Sequence, residues 1–112
     1  MRYKNNKFLS NVARAPAKQA VALPWYSETD YEDILGMMAD REDLPNTYQE
    51  WLDLRIPLEQ ELFKDGYPVV RIMIQPEPFI NWYRIQGLNP NAKACAEFAV
   101  KQAVRKARMN WH

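Results

Sequence analysis

The sequence predicts an α+β fold, in which about four helices pack on a minimal two-stranded sheet whose central strand lies near residues 68–75. Residues 69–74 form a mostly β-branched run that is long enough to make this strand. Gly66 before the run and Pro76 after it are typical of a helix end and a helix start. The chain on both sides carries apolar residues at helical spacing, so helices are expected to cover the strand.

Size and composition predict one folded domain. The chain has 112 residues, of which 47% are hydrophobic and 26% are charged, and these are ordinary values for a globular domain. We expect residues 1–18 to form a flexible basic arm and residues 19–112 to form a single α+β domain. No apolar run approaches the roughly 18 residues that a membrane-spanning helix needs, so no membrane contact is expected.

The cysteine, histidine and glycine content limits the chemistry. Cys95 is the single cysteine, which excludes an intramolecular disulfide and fits a reducing, cytoplasmic setting. The single histidine is the terminal His112, and the chain has no Cys/His cluster of the kind that binds zinc. Three separated glycines do not make a phosphate-binding loop. The sequence therefore predicts no catalytic, cofactor or metal site, and no enzyme.

Charge is distributed unevenly along the chain. Residues 1–27 carry five basic and no acidic side chains, and residues 28–66 carry twelve acidic against three basic ones. Residues 98–112 carry four basic and no acidic side chains. Basic ends around an acidic middle indicate either contact with nucleic acid or neutralisation of one half by the other, and we favour the second interpretation.

Two helices are expected before the central strand. Whether residues 20–23, which precede Pro24, form a second strand stays open. Residues 27–30 resemble a capping box and predict a helix start. The buried face of this helix is expected to be Tyr31, Ile34, Leu35 and Met38.

Residues 47–50 form a second capping box, which opens the next helix. Pro57 predicts a kink or a break in that helix, because it lacks an amide proton. The buried face is expected to be Tyr48, Trp51, Leu52, Leu58, Leu62 and Phe63.

Two more helices are expected after the strand. Pro76 starts a short aromatic one that ends at Gly87, and Asn89-Pro90 starts the last one. The small-residue face of the last helix is expected to be Ala92, Cys95, Ala96, Ala99, Ala103 and Val104, with Phe98 as its large anchor.

The aromatic side chains supply either core or partner surface. About two thirds of them are expected in the core, because a domain this small has little else to fill its interior. Trp25, Tyr26 and Trp82 are the candidates for a partner surface.

The segment from Tyr67 to Ala107 reads strand, short helix, turn and long helix, and so resembles the ribbon–helix–helix DNA-binding family. The resemblance implies that two chains pair their strands into a ribbon that enters the major groove, with Val70, Ile72 and Ile74 facing inward. Together with the basic end of the last helix, it gives as candidate DNA-binding residues Arg71, Met73, Gln75, Asn89, Asn91, Lys101, Arg105, Lys106 and Arg108. The chain departs from the family in its long helical segment before the strand and in its acidic middle, which DNA would repel.

A second resemblance carries no activity. A pattern in small uncharacterised bacterial proteins resembles residues 23–26, 44–45 and 50–52, together with Tyr48, Phe79, Trp82 and Gly87. The sequence thus favours a small non-enzymatic interaction or regulatory protein, whose partner is another protein or a second copy paired through the strand. The alternative is a dimeric ribbon–helix–helix-like transcriptional regulator.

Overall fold

The computed structural model describes residues 18–109, so the predicted arm lies almost wholly outside the described residues. The elements in chain order are β1 Val21–Trp25, α1 Tyr31–Met37, a 3-10 turn Arg41–Asp43, α2 Tyr48–Lys64, β2 Val69–Met73, α3 Pro76–Gln86 and α4 Ala92–Met109. Four helices on a two-stranded sheet confirm the predicted α+β class.

The two strands pair in parallel, with Val21 opposite Val69 and Trp25 opposite Met73. Parallel strands need a long crossover, which residues 26–68 supply here with α1 and α2. The open question about residues 20–23 is answered, because β1 runs through Pro24 instead of ending at it. The ladder bonds of β1 come from alternate residues beginning at Val21, so the proline nitrogen points away from β2 and costs no hydrogen bond.

α2 and α4 both pack against the sheet. Trp25 meets Trp51 of α2 edge to face, with ring centroids 5.2 Å apart. Tyr26, the residue after β1, packs on Trp51 with ring centroids 5.0 Å apart, and its hydroxyl donates to Cys95 Sγ of α4 at 3.5 Å. Buried side chains from every helix and both strands make one continuous core, in which the largest fully buried ones are Phe79, Ile34, Ile74 and Cys95.

Several helix ends follow local sequence signals. At the start of α2, Thr47 Oγ1 accepts from the Glu50 amide at 3.1 Å, while the Glu50 carboxylate accepts from the Thr47 amide at 3.2 Å, which confirms the capping box. Gly66 and Gly87 have φ of 90° and 69° and close α2 and α3, as predicted.

Two other helix starts were predicted wrongly. The helix expected from residues 27–30 begins at Tyr31, because Ser27 Oγ accepts from the Asp30 amide and forms a turn before the helix. The last helix begins at Ala92 and not at Asn89, because Asn91 Oδ1 accepts from the Ala94 amide at 2.8 Å.

The predicted buried faces are right near the core and wrong beyond it. The four residues predicted for the buried face of α1 are all buried, and the last of them, Met38, lies one residue after the helix ends. On α2 the core reaches only as far as Leu52, and so Leu58 and Phe63 are exposed. Val70 near the start of β2 is exposed, so its predicted inward placement was wrong. Ala92, Ala96 and Val104 of α4 are also exposed, so they do not belong to the packed face predicted for that helix.

α2 is one continuous helix that contains Pro57, so of the two predicted outcomes, a kink or a break, the break is absent. Pro57 has no amide to donate to the Asp53 carbonyl, and its side chain is exposed. The helix therefore lacks one internal hydrogen bond that the sequence cannot supply.

Pro57→Ala is expected to raise the free energy of unfolding by about 1–2 kcal/mol, because the restored hydrogen bond exceeds the entropy that proline removes from the unfolded chain. Chemical denaturation measures this difference. Pro78→Ala is the matched control, since Pro78 lies in the first turn of α3, where its amide has no helical partner, and little change is expected. A lower stability of Pro57→Ala would contradict a continuous α2.

Candidate functional site

A cleft of about 420 Å³ lies between β2 and the C-terminal half of α4. We call it the basic cleft. Its lining comes from β2 and the turn after it, from the first turn of α3, and from one face of α4: Arg71, Ile72, Met73, Gln75, Pro78, Phe98, Gln102, Arg105, Lys106 and Met109. Three separate elements therefore build one concave surface.

Arg71 is held in place at the edge of the basic cleft. Its Nε and Nη2 donate to the two carboxylate oxygens of Glu59 on α2, at 2.7 and 2.8 Å. The guanidinium also lies 3.8 Å from the centroid of the Trp25 ring. The hydrogen bond from Arg71 lowers the pKa of the Glu59 carboxyl and raises the pKa of Arg71 itself. Both groups stay charged, and Arg71 acts as a bridge between β2 and α2.

The cations of α4 are placed differently. Arg105 and Lys106 line the basic cleft, and Lys101 and Arg108 lie on an adjoining groove with Val100 and Val104. Within residues 18–109, none of these four cations has an ion-pair partner. The C-terminal half of α4 therefore presents positive charge that the described chain does not neutralise.

The apolar part of the basic cleft is contributed mainly by methionines. Met73 and Met109 are 50% and 66% exposed, whereas Phe98 is buried and forms the floor. Methionine is flexible and polarisable, and so adapts to differently shaped partners. The basic cleft combines adaptable apolar contacts with fixed positive charge.

Five of the nine candidate DNA-binding residues line the basic cleft, namely Arg71, Met73, Gln75, Arg105 and Lys106. Lys101 and Arg108 lie on the adjoining groove. Asn89 and Asn91 do not join them, because they line a separate hollow at the α3–α4 connection.

Of the three aromatics considered for a partner surface, Trp25 and Tyr26 are 4% and 2% exposed. Their assignment to a surface was wrong, since both pack against Trp51. Trp82 is half-buried against Phe98, with ring centroids 5.3 Å apart.

Sequence reasoning missed Gln102 and Met109 as members of the site. Phe98, Gln102, Arg105 and Met109 recur at intervals of three or four residues, and Lys106 follows Gln102 by four, which places all five on one face of a helix. That spacing was readable, but it does not reveal that the face lies against β2.

Cys95 lies outside the basic cleft, at the centre of the core. Burial raises the pKa of its thiol to about 11, and burial also raises the pKa of Tyr26, its hydrogen-bond partner, above the ordinary tyrosine value. The thiol is therefore protonated at neutral pH and inaccessible, as expected for a small buried hydrophobe.

A metal-binding cluster and a helix able to span a membrane are both absent from the described residues. Residues 18–109 contain no group of three or more histidine, cysteine, aspartate or glutamate side chains that could hold a metal ion. None of the described helices is both long and apolar enough to cross a membrane.

The chain matches no protein-family model, and no curated protein or solved structure is significantly similar to it.

Cys95 of the native protein is expected to react with a thiol reagent at pH 8 at least about a hundredfold more slowly than in the unfolded chain, because both burial and the raised pKa suppress the thiolate. Absorbance of the released thiol chromophore follows the reaction, and the same protein in denaturant provides the reference rate. A native rate close to the denatured one would show that the thiol is accessible and would reopen a nucleophilic role.

Proposed function

We propose that this chain is a small non-enzymatic interaction protein that binds a protein partner through the basic cleft. The observation that carries this proposal is the composition of the cleft. Exposed methionines and two cations that have no ion-pair partner among residues 18–109, Arg105 and Lys106, line a concavity of about 420 Å³. Concave surfaces that mix apolar contacts with a few fixed polar groups are typical binding sites. The unpaired charge of Arg105 and Lys106 favours an anionic partner.

The lining also favours binding over catalysis. Among the described residues, the side chains around the basic cleft include no histidine, cysteine, aspartate or glutamate. These are the groups that most often transfer protons or attack substrates near neutral pH. A cytoplasmic setting accompanies the proposal, since it is consistent with a single, buried and protonated cysteine.

Binding of nucleic acid is the second candidate, and the gathering of five predicted DNA-binding residues in one cleft favours it. The ion pair of Arg71 weighs against strong nucleic-acid binding. Its Nε and Nη2 donate to Glu59, which neutralises the charge that would attract phosphate and leaves only the outer donors on Nη1 and Nη2 for a base edge. The acidic residues 28–66 would further repel the phosphate backbone.

Site-specific photo-crosslinking in the cells that make this protein tests whether the partner surface lies at the basic cleft. A photoreactive amino acid in place of Gln102, inside the basic cleft, is expected to give one or a few discrete protein adducts. The same amino acid in place of Gln86, an exposed residue at the end of α3 that does not line the cleft, is the matched control and is expected to give none.

Protein adducts from Gln86 as strong as those from Gln102, or none from Gln102, would contradict a partner surface at the basic cleft. Nucleic acid in place of protein in the Gln102 adducts would favour the second candidate. Circular dichroism of both variants checks that each remains folded.

A further inference from the structure

We propose that the partner docks an extended, acidic segment as a third strand on the open edge of β2. This inference rests on the proposed function and names the binding mode and the chemistry of the partner. Within residues 18–109, β2 pairs with β1 along one edge of its backbone and with no strand along the other.

The hydrogen bonds between the strands show which backbone groups are used. The Val21 amide donates to the Pro68 carbonyl, and the Ile74 amide donates to the Trp25 carbonyl, both at 2.8 Å. In a parallel ladder, alternate residues turn both backbone groups to the same side. Val70 and Ile72 therefore bond to β1 as Ile74 does, whereas Arg71 and Met73 turn their amides and carbonyls to the opposite edge.

That opposite edge is unpaired within residues 18–109. No hydrogen bond from a described residue reaches the backbone of Arg71 or Met73. An uncovered strand edge is a template for pairing with another extended chain, and natural proteins use it to bind peptides. β2 thus offers the amides and carbonyls of Arg71 and Met73, and of Val69 in the same alternation, at the spacing of a strand.

The basic cleft lies along this open edge. Arg71 and Met73 point to one face of the sheet and Ile72 points to the other, yet all three line the cleft. Residues from both faces meet in one cavity only where that cavity runs beside the strand. A third strand placed there would contact Gln102 and Met109 of α4 along its length.

Charge decides between the candidate occupants. Arg105 and Lys106 beside the edge have no ion-pair partner among the described residues, and α4 carries no acidic residue after Glu97. A second copy that paired β2 with β2 would bring the same cations together, and residues 1–17 are basic without an acid, so both are disfavoured. Nucleic acid has suitable charge but no strand backbone, and an acidic extended peptide has both.

The test uses the full chain and fluorescence polarisation of a short labelled peptide of alternating glutamate and valine. We expect this peptide to bind with an affinity that falls as salt rises, and a peptide of alternating lysine and valine not to bind. The acidic peptide N-methylated at consecutive central residues keeps its charge but loses amide donors on both edges. Its affinity is expected to be at least about tenfold lower.

Two pairs of protein variants locate the contact. Arg105→Glu with Lys106→Glu is expected to lower the affinity for the acidic peptide at least about tenfold. Lys64→Glu with Lys93→Glu changes the net charge equally at positions outside the cleft, and less than about a twofold effect is expected. Met73→Pro removes the outward amide, as Pro24 does in β1, together with the methionine side chain, whereas Met73→Ala removes the side chain and keeps the amide. Met73→Pro is expected to weaken binding more than Met73→Ala does, while β1 and β2 stay paired.

The strand-addition proposal is overturned by equal affinity of the N-methylated peptide, by no binding up to about 1 mM peptide, or by an equal loss in the two charge-reversed pairs. Tighter binding of a short random DNA duplex than of the acidic peptide would favour nucleic acid. A dimer in light scattering that Met73→Pro dissociates would favour a second copy. Gln102 protein adducts that persist while the peptide fails would leave the proposed function standing and remove only this mode of binding.

Discussion

The parallel pairing of β1 with β2 is the constraint on which the rest of the structure depends. Two strands alone are marginal in water, and a parallel pair must also be joined by a long crossover. Residues 26–68 make that connection and bring Trp51 of α2 onto Trp25. α4 also packs against both strands and adds Cys95 and Phe98 to the same core, so the sheet is held by α2 and α4 together.

Among residues 18–109, this arrangement leaves one edge of β2 unpaired, and positive charge lies beside that edge. The acidic α2 neutralises Arg71 through Glu59, and that ion pair fixes Arg71 against the Trp25 ring. No corresponding acid reaches Arg105 or Lys106 within the described chain. The uneven charge of the sequence is thus only partly balanced inside the fold, and the remaining positive charge lies next to unpaired strand backbone.

Features set by neighbouring residues could be predicted from the sequence. The β-branched run at β2, the capping box at Thr47 and the left-handed glycines Gly66 and Gly87 depend on local backbone chemistry. The capping signal at Ser27 was misleading, because the same hydroxyl bond also stabilises a turn.

Features set by distant residues could not be predicted. The sequence indicated a possible strand at residues 20–23 that ends before Pro24, and the pairing with β2 extends β1 to Trp25. Pro24 is tolerated there because its nitrogen faces away from β2. The sequence predicted Arg71 as a DNA-binding residue, but it does not reveal that Glu59 of α2 accepts two hydrogen bonds from the Arg71 guanidinium. The helical spacing of the α4 residues was visible in the sequence, but the register that places them beside β2 was not.

Amide hydrogen exchange along β2, followed by NMR in the free protein at low concentration, tests whether β2 pairs with β1 along one edge and is open along the other. We expect alternation, with slow exchange at Val70, Ile72 and Ile74, which donate to β1, and fast exchange at Arg71 and Met73, whose amides face the open edge. Slow exchange at Arg71 and Met73, equal to that at Ile72, would show that this edge is already paired and would contradict an open edge on β2.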